Sequence, residues 1–322
     1  MNIHWPQADW QSIAATDVGW SHDALHAVGE YLRGHNTSEW MLLHRGRVVR
    51  HEVVDDSDVS SDVYAVQKSV LAILVGVAID RRLLQVDDSI NKYLPAGWTQ
   101  TAPEFEARLT LRHLLTMTTG MTDELTPEGE PGRDWRYNNT AYNYLKRILC
   151  EMTDLDLQSL TMSWLGEKIG WRESRWLERE QVLPDGRPFT GLLMSGADMA
   201  RLGLLVLGEG AWDGERVVRD RAYWQAMFTP GSQANPAWGY YWWRNDQPHH
   251  IFPFIDRSFA GPVVPEAPAD MCMAMGAMDN RVYVLPSRQL VCVRRGAKAL
   301  EPGVRGSFDR QLWALLSRCW DG

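Results

Sequence analysis

Lys68 has a sequence environment that calls for a chemical explanation. Only five of the 33 basic residues are lysines, and Lys68 lies shortly before the run VLAILVGVAI, the most apolar stretch of the chain. Burial of an ammonium group lowers its pKa from about 10.4, and a lysine tuned in this way can act as a general base. The alternative is a structural lysine that extends from the start of a helix into solvent.

Two further segments carry groups that could serve such a lysine. The first is Tyr137-Asn138-Asn139, where a tyrosine beside a cation can act as a base and an asparagine amide can orient a lysine. The second is Ala274-Met275-Gly276-Ala277-Met278, a small, glycine-bearing segment before the strand VYVLP. Such a segment lets a substrate approach the backbone and offers a free N–H group. Taken singly, each segment also fits an ordinary loop or the start of a strand.

The hydrophobic pattern predicts the elements that must position these residues. Strands are predicted within 40–54, as a hairpin around Arg45-Gly46, and at 281–285 and 290–294. Helices are predicted at 22–33 with Ser21 as N-cap, and at 64–82, 110–117, 142–151, 197–207 and 308–320. Strands near both ends and helices between them indicate an α/β (α+β) fold, with an antiparallel sheet built from both termini. We expect a sheet domain of residues 1–62 and 200–322, a mostly helical subdomain of 63–199, and an active site between them.

Composition excludes several classes of protein. The 322 residues are 45% hydrophobic and 23% charged, as in a globular protein and unlike a disordered or fibrous one. A net charge of −8 without a basic stripe argues against a nucleic-acid partner. The longest apolar run, 70–79, is too short to cross a membrane, and the first residues do not read as a secretory signal. Four cysteines without a CxxC pair suit a reducing compartment, so we expect a cytoplasmic protein.

Other catalytic arrangements fit the sequence less well. Ser69 is adjacent to Lys68, and neighbouring residues of a helix do not face each other. The formal Ser-x-x-Lys at 89–92 is interpreted as a surface turn, because acidic residues precede it and Tyr-Leu-Pro follows its lysine. The chain has no G-x-S-x-G and no H-E-x-x-H, which disfavours an α/β-hydrolase and a metal site. We therefore expect no metal site.

The order and spacing of these segments resemble the class C β-lactamase-like serine hydrolases. This family includes penicillin-binding proteins, esterases and amidases of the 6-aminohexanoate-dimer hydrolase type. The resemblance runs from about Gly19 to Gly296 and is greatest to the amidase and esterase branch without a signal peptide. It extends to GVAIDRRLLQVDDSINKYLP (76–95), LTLRHLLTMTTGM (109–121), SGADMARLGLLVLGEGAWDGERVV (195–218), WGYYWW (238–243) and RVYVLPSRQLVCVRRG (281–296).

The first family motif departs from its expected form. The motif is Ser-x-x-Lys, whose serine is the acylated nucleophile, and this chain reads Ala65-Val66-Gln67-Lys68. An alanine cannot attack a carbonyl, so the chain as written should not form an acyl-enzyme. Ala65 is either an engineered Ser→Ala change, favoured because the other motif residues are retained, or the mark of a natural pseudoenzyme that binds without turnover.

The resemblance also implies the roles of the remaining site residues. With serine at position 65, Lys68 and Tyr137 would shuttle its proton, and Asn139 would orient Lys68 and the substrate. The N–H groups of residue 65 and Ala277 would form the oxyanion hole. The resemblance implies that this reaction needs no metal and no organic cofactor. Of the candidate residues, we expect Met275, Gly276, Trp238 and Tyr240 to contact the substrate.

The third family motif narrows the expected substrate. β-Lactamases and penicillin-binding proteins carry Lys or His with Thr or Ser before the glycine, whereas this chain has Ala274 and Met275. This favours an uncharged small-molecule amide or ester as the partner, although an arginine such as Arg281 could compensate. Met271, Met273, Met275 and Met278 either line an adaptable apolar pocket or pack in the core. The sequence leaves open whether the acyl group passes to water or to another acceptor. It also leaves open the oligomeric state, including a homodimer.

Overall fold

The structure, a computed structural model, describes residues 3–300 and 306–320. Its α-helices are α1 (His22–Arg33), α2 (Val66–Asp80), α3 (Pro103–Glu106), α4 (Leu111–Leu115), α5 (Ala141–Glu151), α6 (Leu157–Thr161), α7 (Glu167–Ile169), α8 (Gly196–Leu207), α9 (Arg221–Met227) and α10 (Ser307–Leu316). Its strands are β1 (Thr37–His44), β2 (Arg47–Val53), β3 (Ser61–Asp62), β4 (Arg175–Val182), β5 (Pro188–Met194), β6 (Ala211–Trp212), β7 (Glu215–Arg216), β8 (Trp243–Arg244), β9 (His249–His250), β10 (Phe259–Ala260), β11 (Cys272–Met275), β12 (Arg281–Leu285) and β13 (Leu290–Gly296).

The main sheet joins strands from the two ends of the chain. Its order is β2-β1-β13-β12-β11-β8, and its neighbouring strands are antiparallel. The hairpin of β1 and β2 turns at Arg45-Gly46, where both residues have positive φ. Helix α8 packs against β1, β12 and β13, whereas α1 packs against α10 and β1. The predicted α/β fold, with an antiparallel sheet from both termini and helices between, is confirmed.

Helix α2 carries the most apolar sequence and lies in the centre of the molecule. Each of its residues from Val66 to Ile79 is buried, so the helix has no solvent-exposed face over that length. A helix that is apolar all round is stable only when neighbouring elements cover it on every side. Helices α5 and α9 and strand β11 provide part of this cover. The first turn of α2, with Lys68, is thereby held inside the protein.

Several helices follow the predicted pattern, with ends that differ slightly. Ser21 caps α1 by accepting a hydrogen bond from the N–H of Ala24, as predicted. Helix α4 is shorter than the predicted 110–117, because a turn with positive φ at Met117 follows it. The C-terminal helix ends at Leu316 and continues as a 3₁₀ turn, Ser317–Cys319.

A second, three-stranded sheet was not predicted. Its order is β3-β5-β4, and β4 has the sequence RWLEREQV, whose charges hide the alternation of a strand. Strand β4 lies at the edge of this sheet, where its polar side chains reach solvent. The proposed division at 62/63 and 199/200 stays a prediction, and its outer limits, residues 1 and 322, lie outside the described residues. Across 3–300 and 306–320, no helix combines the length and apolar character needed to cross a lipid bilayer.

Candidate active site

The site begins at the N-terminus of α2, where Ala65 is the N-cap residue. Its side chain cannot cap the helix, since a methyl group accepts no hydrogen bond. The preceding residue, Tyr64, has a φ of 50°, a left-handed conformation that is unfavourable for a bulky residue. Its N–H donates to Asp62 Oδ1 at 2.7 Å, and this bond holds the turn. Position 65 is thus presented at a fixed, strained turn between β3 and α2.

Lys68 lies one helical turn after Ala65 and is buried, with 2% of its surface exposed. Its Nζ donates a hydrogen bond to Asn139 Oδ1 at 3.1 Å. The same nitrogen lies 4.6 Å from the ring centroid of Tyr137 and 3.8 Å from that of Tyr142. Burial lowers the pKa of Lys68 well below its usual value, and the charge of Arg179 lowers it further. The alternative of a lysine that extends into solvent is therefore wrong.

The segment 137–139 is positioned by its middle residue. Asn138 Oδ1 accepts hydrogen bonds from the N–H groups at the start of α5, and its amide donates to the carbonyls of Met121 and Thr122. The N–H of Asn139 donates to Asp123 Oδ1 at 2.7 Å. Because both ends of the turn are held in this way, Tyr137 and Asn139 are directed towards Lys68.

Gly276 brings strand β11 into contact with the start of α2. A Cβ at this position would lie 2.2 Å from the carbonyl oxygen of Val63 and 3.3 Å from the nitrogen of Ala65. Only glycine permits so close an approach of two backbone segments. Within the described residues, the N–H groups of Ala65 and Ala277 donate no hydrogen bond. Ala65 and Ala277, which carry these two donors, both line the same cavity.

These residues line a cavity of about 1140 Å³. Most of the predicted site residues lie in its wall, namely Ala65, Lys68, Tyr137, Asn139, Met275, Gly276 and Ala277. Trp238 lies behind Tyr137, with the two rings edge to face at 5.9 Å. Tyr240 does not line the cavity, because its buried hydroxyl bonds to Arg112. From the aromatic cluster 238–243, the cavity wall takes Trp243 instead.

Other candidates have structural roles. Arg281 also lines the cavity, where it is buried and its guanidinium is paired with Asp309, with Nε 2.6 Å from Oδ1. Of the methionines, Met275 and Met278 line the cavity, whereas Met271 and Met273 are buried in the core.

The two other serines considered as nucleophiles lie elsewhere. The hydroxyl of Ser69 donates to the carbonyl of Tyr241 at 2.6 Å, so it is held away from Lys68. In the formal Ser-x-x-Lys at 89–92, the side chain of Lys92 is mostly exposed and pairs with Asp88. Neither Ser69 nor Ser89 is among the described residues that line the cavity.

Three residues at the site were missed by the sequence analysis. Lys146 on α5 is buried, Tyr142 on the same helix touches Lys68, and Arg179 on β4 reaches the cavity wall. A signal for Lys146 was present, since it is one of only five lysines in an arginine-rich chain. No comparable signal marked Arg179, because its strand was not predicted.

Comparison with known proteins identifies the class of this chain. A sequence model of the family described as Beta-lactamase matches residues 39–261. The chain therefore belongs to the β-lactamase family of serine hydrolases and penicillin-binding proteins. An uncharacterized protein of Alkalihalophilus pseudofirmus is 25% identical over 265 residues, which cover 74% of this chain and 73% of that protein.

Solved structures show the same fold. A candidate β-lactamase from Bacteroides dorei superposes with a TM-score of 0.72 at 14% identity, covering 94% of this chain and 100% of that one. EstCE1, a hydrolase with promiscuous acyltransferase activity, gives 0.67 at 15% identity, covering 91% and 97%. A candidate 6-aminohexanoate-dimer hydrolase from Bacillus anthracis gives 0.68 at 14% identity, covering 98% and 87%. At these identities the likeness concerns the fold alone.

Proposed function

We propose that this chain carries the machinery of a serine amidase or esterase and lacks only its nucleophile. In this proposal, position 65 is a disabled nucleophile position, and restoring serine there restores cleavage of a small amide or ester. The observation that carries the proposal is the burial of Lys68 one turn from Ala65, with its Nζ 3.1 Å from Asn139 Oδ1. A buried lysine is costly, and a base for a hydroxyl at position 65 explains why it lies there.

The chemistry follows from the positions of the groups. In the Ala65→Ser protein, the hydroxyl at position 65 would attack the carbonyl carbon while its proton passes to neutral Lys68. The oxyanion would be held by the N–H groups of residue 65 and Ala277. Lys68 would return the proton through Tyr137 to the leaving amine or alcohol, and the C–N or C–O bond would break. Water would then hydrolyse the acyl-enzyme by the same proton path.

The cavity wall favours an uncharged, partly apolar acyl group. Aromatic and aliphatic side chains make up much of the wall, including Phe189, Trp243, Phe252 and Met275. The segment before the glycine offers no cation, since its residues are Ala274 and Met275. A hydrolase also agrees with the likeness in fold to EstCE1, a hydrolase with promiscuous acyltransferase activity, and to the candidate 6-aminohexanoate-dimer hydrolase from Bacillus anthracis.

The test restores the nucleophile. Ala65→Ser and the unchanged chain are incubated with p-nitrophenyl acetate, butyrate and octanoate, and with the corresponding nitroanilides. Product release and intact mass are followed together. We expect an acyl adduct and turnover with Ala65→Ser only, and a rate lower by about 10²–10⁴ in Ala65→Ser/Lys68→Met. Ala65→Ser/Ser89→Ala is the matched control, because it removes the other Ser-x-x-Lys serine and should keep the full rate.

A different outcome would favour the second candidate, a binding protein on the same scaffold. A folded Ala65→Ser protein that forms no adduct with any ester or anilide would refute the hydrolase proposal. Acyl transfer is distinguished by product analysis with added alcohols or amines, because a transferase would then release the acylated acceptor in preference to the free acid.

We also propose a cytoplasmic location. The four cysteines, Cys150, Cys272, Cys292 and Cys319, are all free thiols. Unpaired thiols in a protein of this size are typical of a reducing compartment. Fractionation of cells that express the chain, with marker enzymes for each compartment, tests this, and recovery outside the cytoplasmic fraction would refute it.

A further inference from the structure

A second buried lysine, which the proposed reaction does not use, lies behind the cavity wall and bonds to Gln67 and Thr190 of that wall. Lys146 on α5 is 5% exposed, yet it bears one of the five ammonium groups of the chain. Both lysines contact the ring of Tyr142, with Lys146 Nζ at 4.8 Å and Lys68 Nζ at 3.8 Å from the ring centroid. The two nitrogens are thus no more than about 9 Å apart, and two protonated lysines at this distance in a buried site repel each other.

The two lysines have very different hydrogen-bonding partners. Lys146 Nζ is surrounded by four oxygen atoms, with Gln67 Oε1 at 2.7 Å, Asn143 Oδ1 at 2.8 Å, and the carbonyl and hydroxyl oxygens of Thr190 at 2.9 and 2.8 Å. An ammonium group has three N–H donors, and these oxygens accept all of them. Among the described residues, Lys68 Nζ has one acceptor, Asn139 Oδ1. The environment of Lys146 therefore suits the charged form far better than that of Lys68.

The other charged groups around the pair act on both lysines and do not by themselves decide between them. The positive charge of Arg179 on β4 lowers the pKa of both lysines, and Arg179 is itself paired with Asp62. Asp62 also favours the charged form of Lys146, whereas Asp123 favours that of Lys68. Burial lowers the pKa of both lysines, and the charge of Lys68 lowers the pKa of Lys146 further, so the two lysines compete for a proton. The competition is decided by the four oxygens around Lys146.

We propose that Lys146 is the lysine of this pair that stays protonated, and that its charge keeps Lys68 in the neutral amine form. Lys146 is then a positioning residue for the base, acting through Lys68 without touching the substrate. Lys146 thus provides a fixed positive charge from α5, whereas the segment before Gly276 provides none. The catalytic meaning of this assignment rests on the proposed function, but the protonation states themselves do not.

The protein as it stands allows a direct test, because it contains only five lysines. Labelling with ¹³C,¹⁵N-lysine gives five Cε and Nζ signals, assigned by replacing each lysine in turn. Their titration by NMR reports each protonation state without requiring access to a reagent. We expect Lys68 to lose its proton at a lower pH than Lys146. Loss of the proton from Lys146 first would overturn the proposal. The titration is carried out on the unchanged protein, and the variants serve only to assign the signals.

Variants of Lys146 test the coupling. In Lys146→Gln, which keeps donors for some of the surrounding oxygens, the midpoint of Lys68 should rise by about one pH unit, and Lys146→Arg should leave it low. Lys92→Gln, which removes an exposed and distant lysine, is the matched control and should have no effect. A folded Lys146→Gln protein in which Lys68 moves by less than about 0.3 units would refute the coupling.

The same variants in the Ala65→Ser background connect the pair to catalysis. The acidic limb of kcat/KM should move upwards in Lys146→Gln by the same amount as the NMR midpoint of Lys68. A purely structural role would lower the rate without moving this limb. Absence of turnover in Ala65→Ser would contradict the proposed function, whereas the NMR titration would still decide the assignment of the charge.

Discussion

The contact between Gly276 and Val63 fixes the distance between the two donors proposed for the oxyanion hole. In Gly276→Ala the new methyl carbon would begin 2.2 Å from the carbonyl oxygen of Val63. Carbon and oxygen atoms in ordinary contact lie more than about 3 Å apart, so β11 and the start of α2 must separate by about 1 Å. The N–H groups of Ala65 and Ala277 lie on opposite sides of this contact, and they would separate with it.

The expected effect is large on catalysis and modest on stability. A displacement of about 1 Å at reacting groups lowers a rate by about 10²-fold, whereas overpacking of this kind costs about 1–3 kcal/mol of stability. We therefore expect kcat of Ala65→Ser for p-nitrophenyl esters to fall about 10²-fold when Gly276→Ala is added. Urea unfolding of the same proteins gives the accompanying change in the free energy of unfolding.

A matched control separates the two effects. Gly208 follows α8, away from the cavity, and a Cβ there would lie 2.7 Å from the carbonyl oxygen of Ala211. Gly208→Ala should therefore lower the stability of the protein without a comparable loss of kcat. If Gly276→Ala keeps kcat within about threefold of the parent while remaining folded, the reasoning about the two donors is wrong.

Two further predictions concern buried charges. Because the pKa of Lys68 is lower in the folded protein than in the unfolded chain, the unfolded chain holds more protons between these two values, and stability rises with pH across that interval. Lys68→Met should remove this rise and stabilise the protein near neutral pH, by about 1.4 kcal/mol for each unit of the pKa difference. Urea unfolding at about pH 7 and pH 10 measures the change in the free energy of unfolding. An equal change at both pH values would contradict this prediction. Asp309→Ala should lower the free energy of unfolding by about 3–5 kcal/mol, because it leaves the buried Arg281 guanidinium without its main partner. Arg310→Ala, which breaks a more exposed ion pair with Glu266, should lower it by less than about 1 kcal/mol. Similar losses in both variants would refute the distinction.

The sequence predicted those helices and strands in which a hydrophobic pattern extends along the whole element. The apolar run after Lys68 predicted α2, and the alternation around Arg45-Gly46 predicted the first hairpin. It could not predict β4, because an edge strand with polar residues on both faces has the composition of a loop.

Two kinds of signal predicted residues of the cavity wall: a residue type that is unusual for its surroundings, at Lys68, and the order and spacing of the family motifs, at Tyr137, Asn139 and Gly276. Lys68 stood out because a lysine beside an apolar run is rare. Lys146 precedes Arg147 in an amphipathic helix, where two basic residues in sequence indicate a solvent-exposed face, and only tertiary contacts show that it is buried. For the same reason the cluster WGYYWW could not reveal that Trp243, and not Tyr240, reaches the cavity.

The pairing of β1 with β13 has a consequence for how the chain folds as it is synthesised. The two strands are separated by roughly 250 residues, and a ribosome adds about 5–20 residues per second. For tens of seconds β1 therefore has only β2 as a partner, while α2 has left the ribosome without β11 to cover it. A helix that is apolar on every side is a favourable target for a chaperone during that time. The element that holds Lys68 in the folded protein is thus also the one that most depends on completion of the chain.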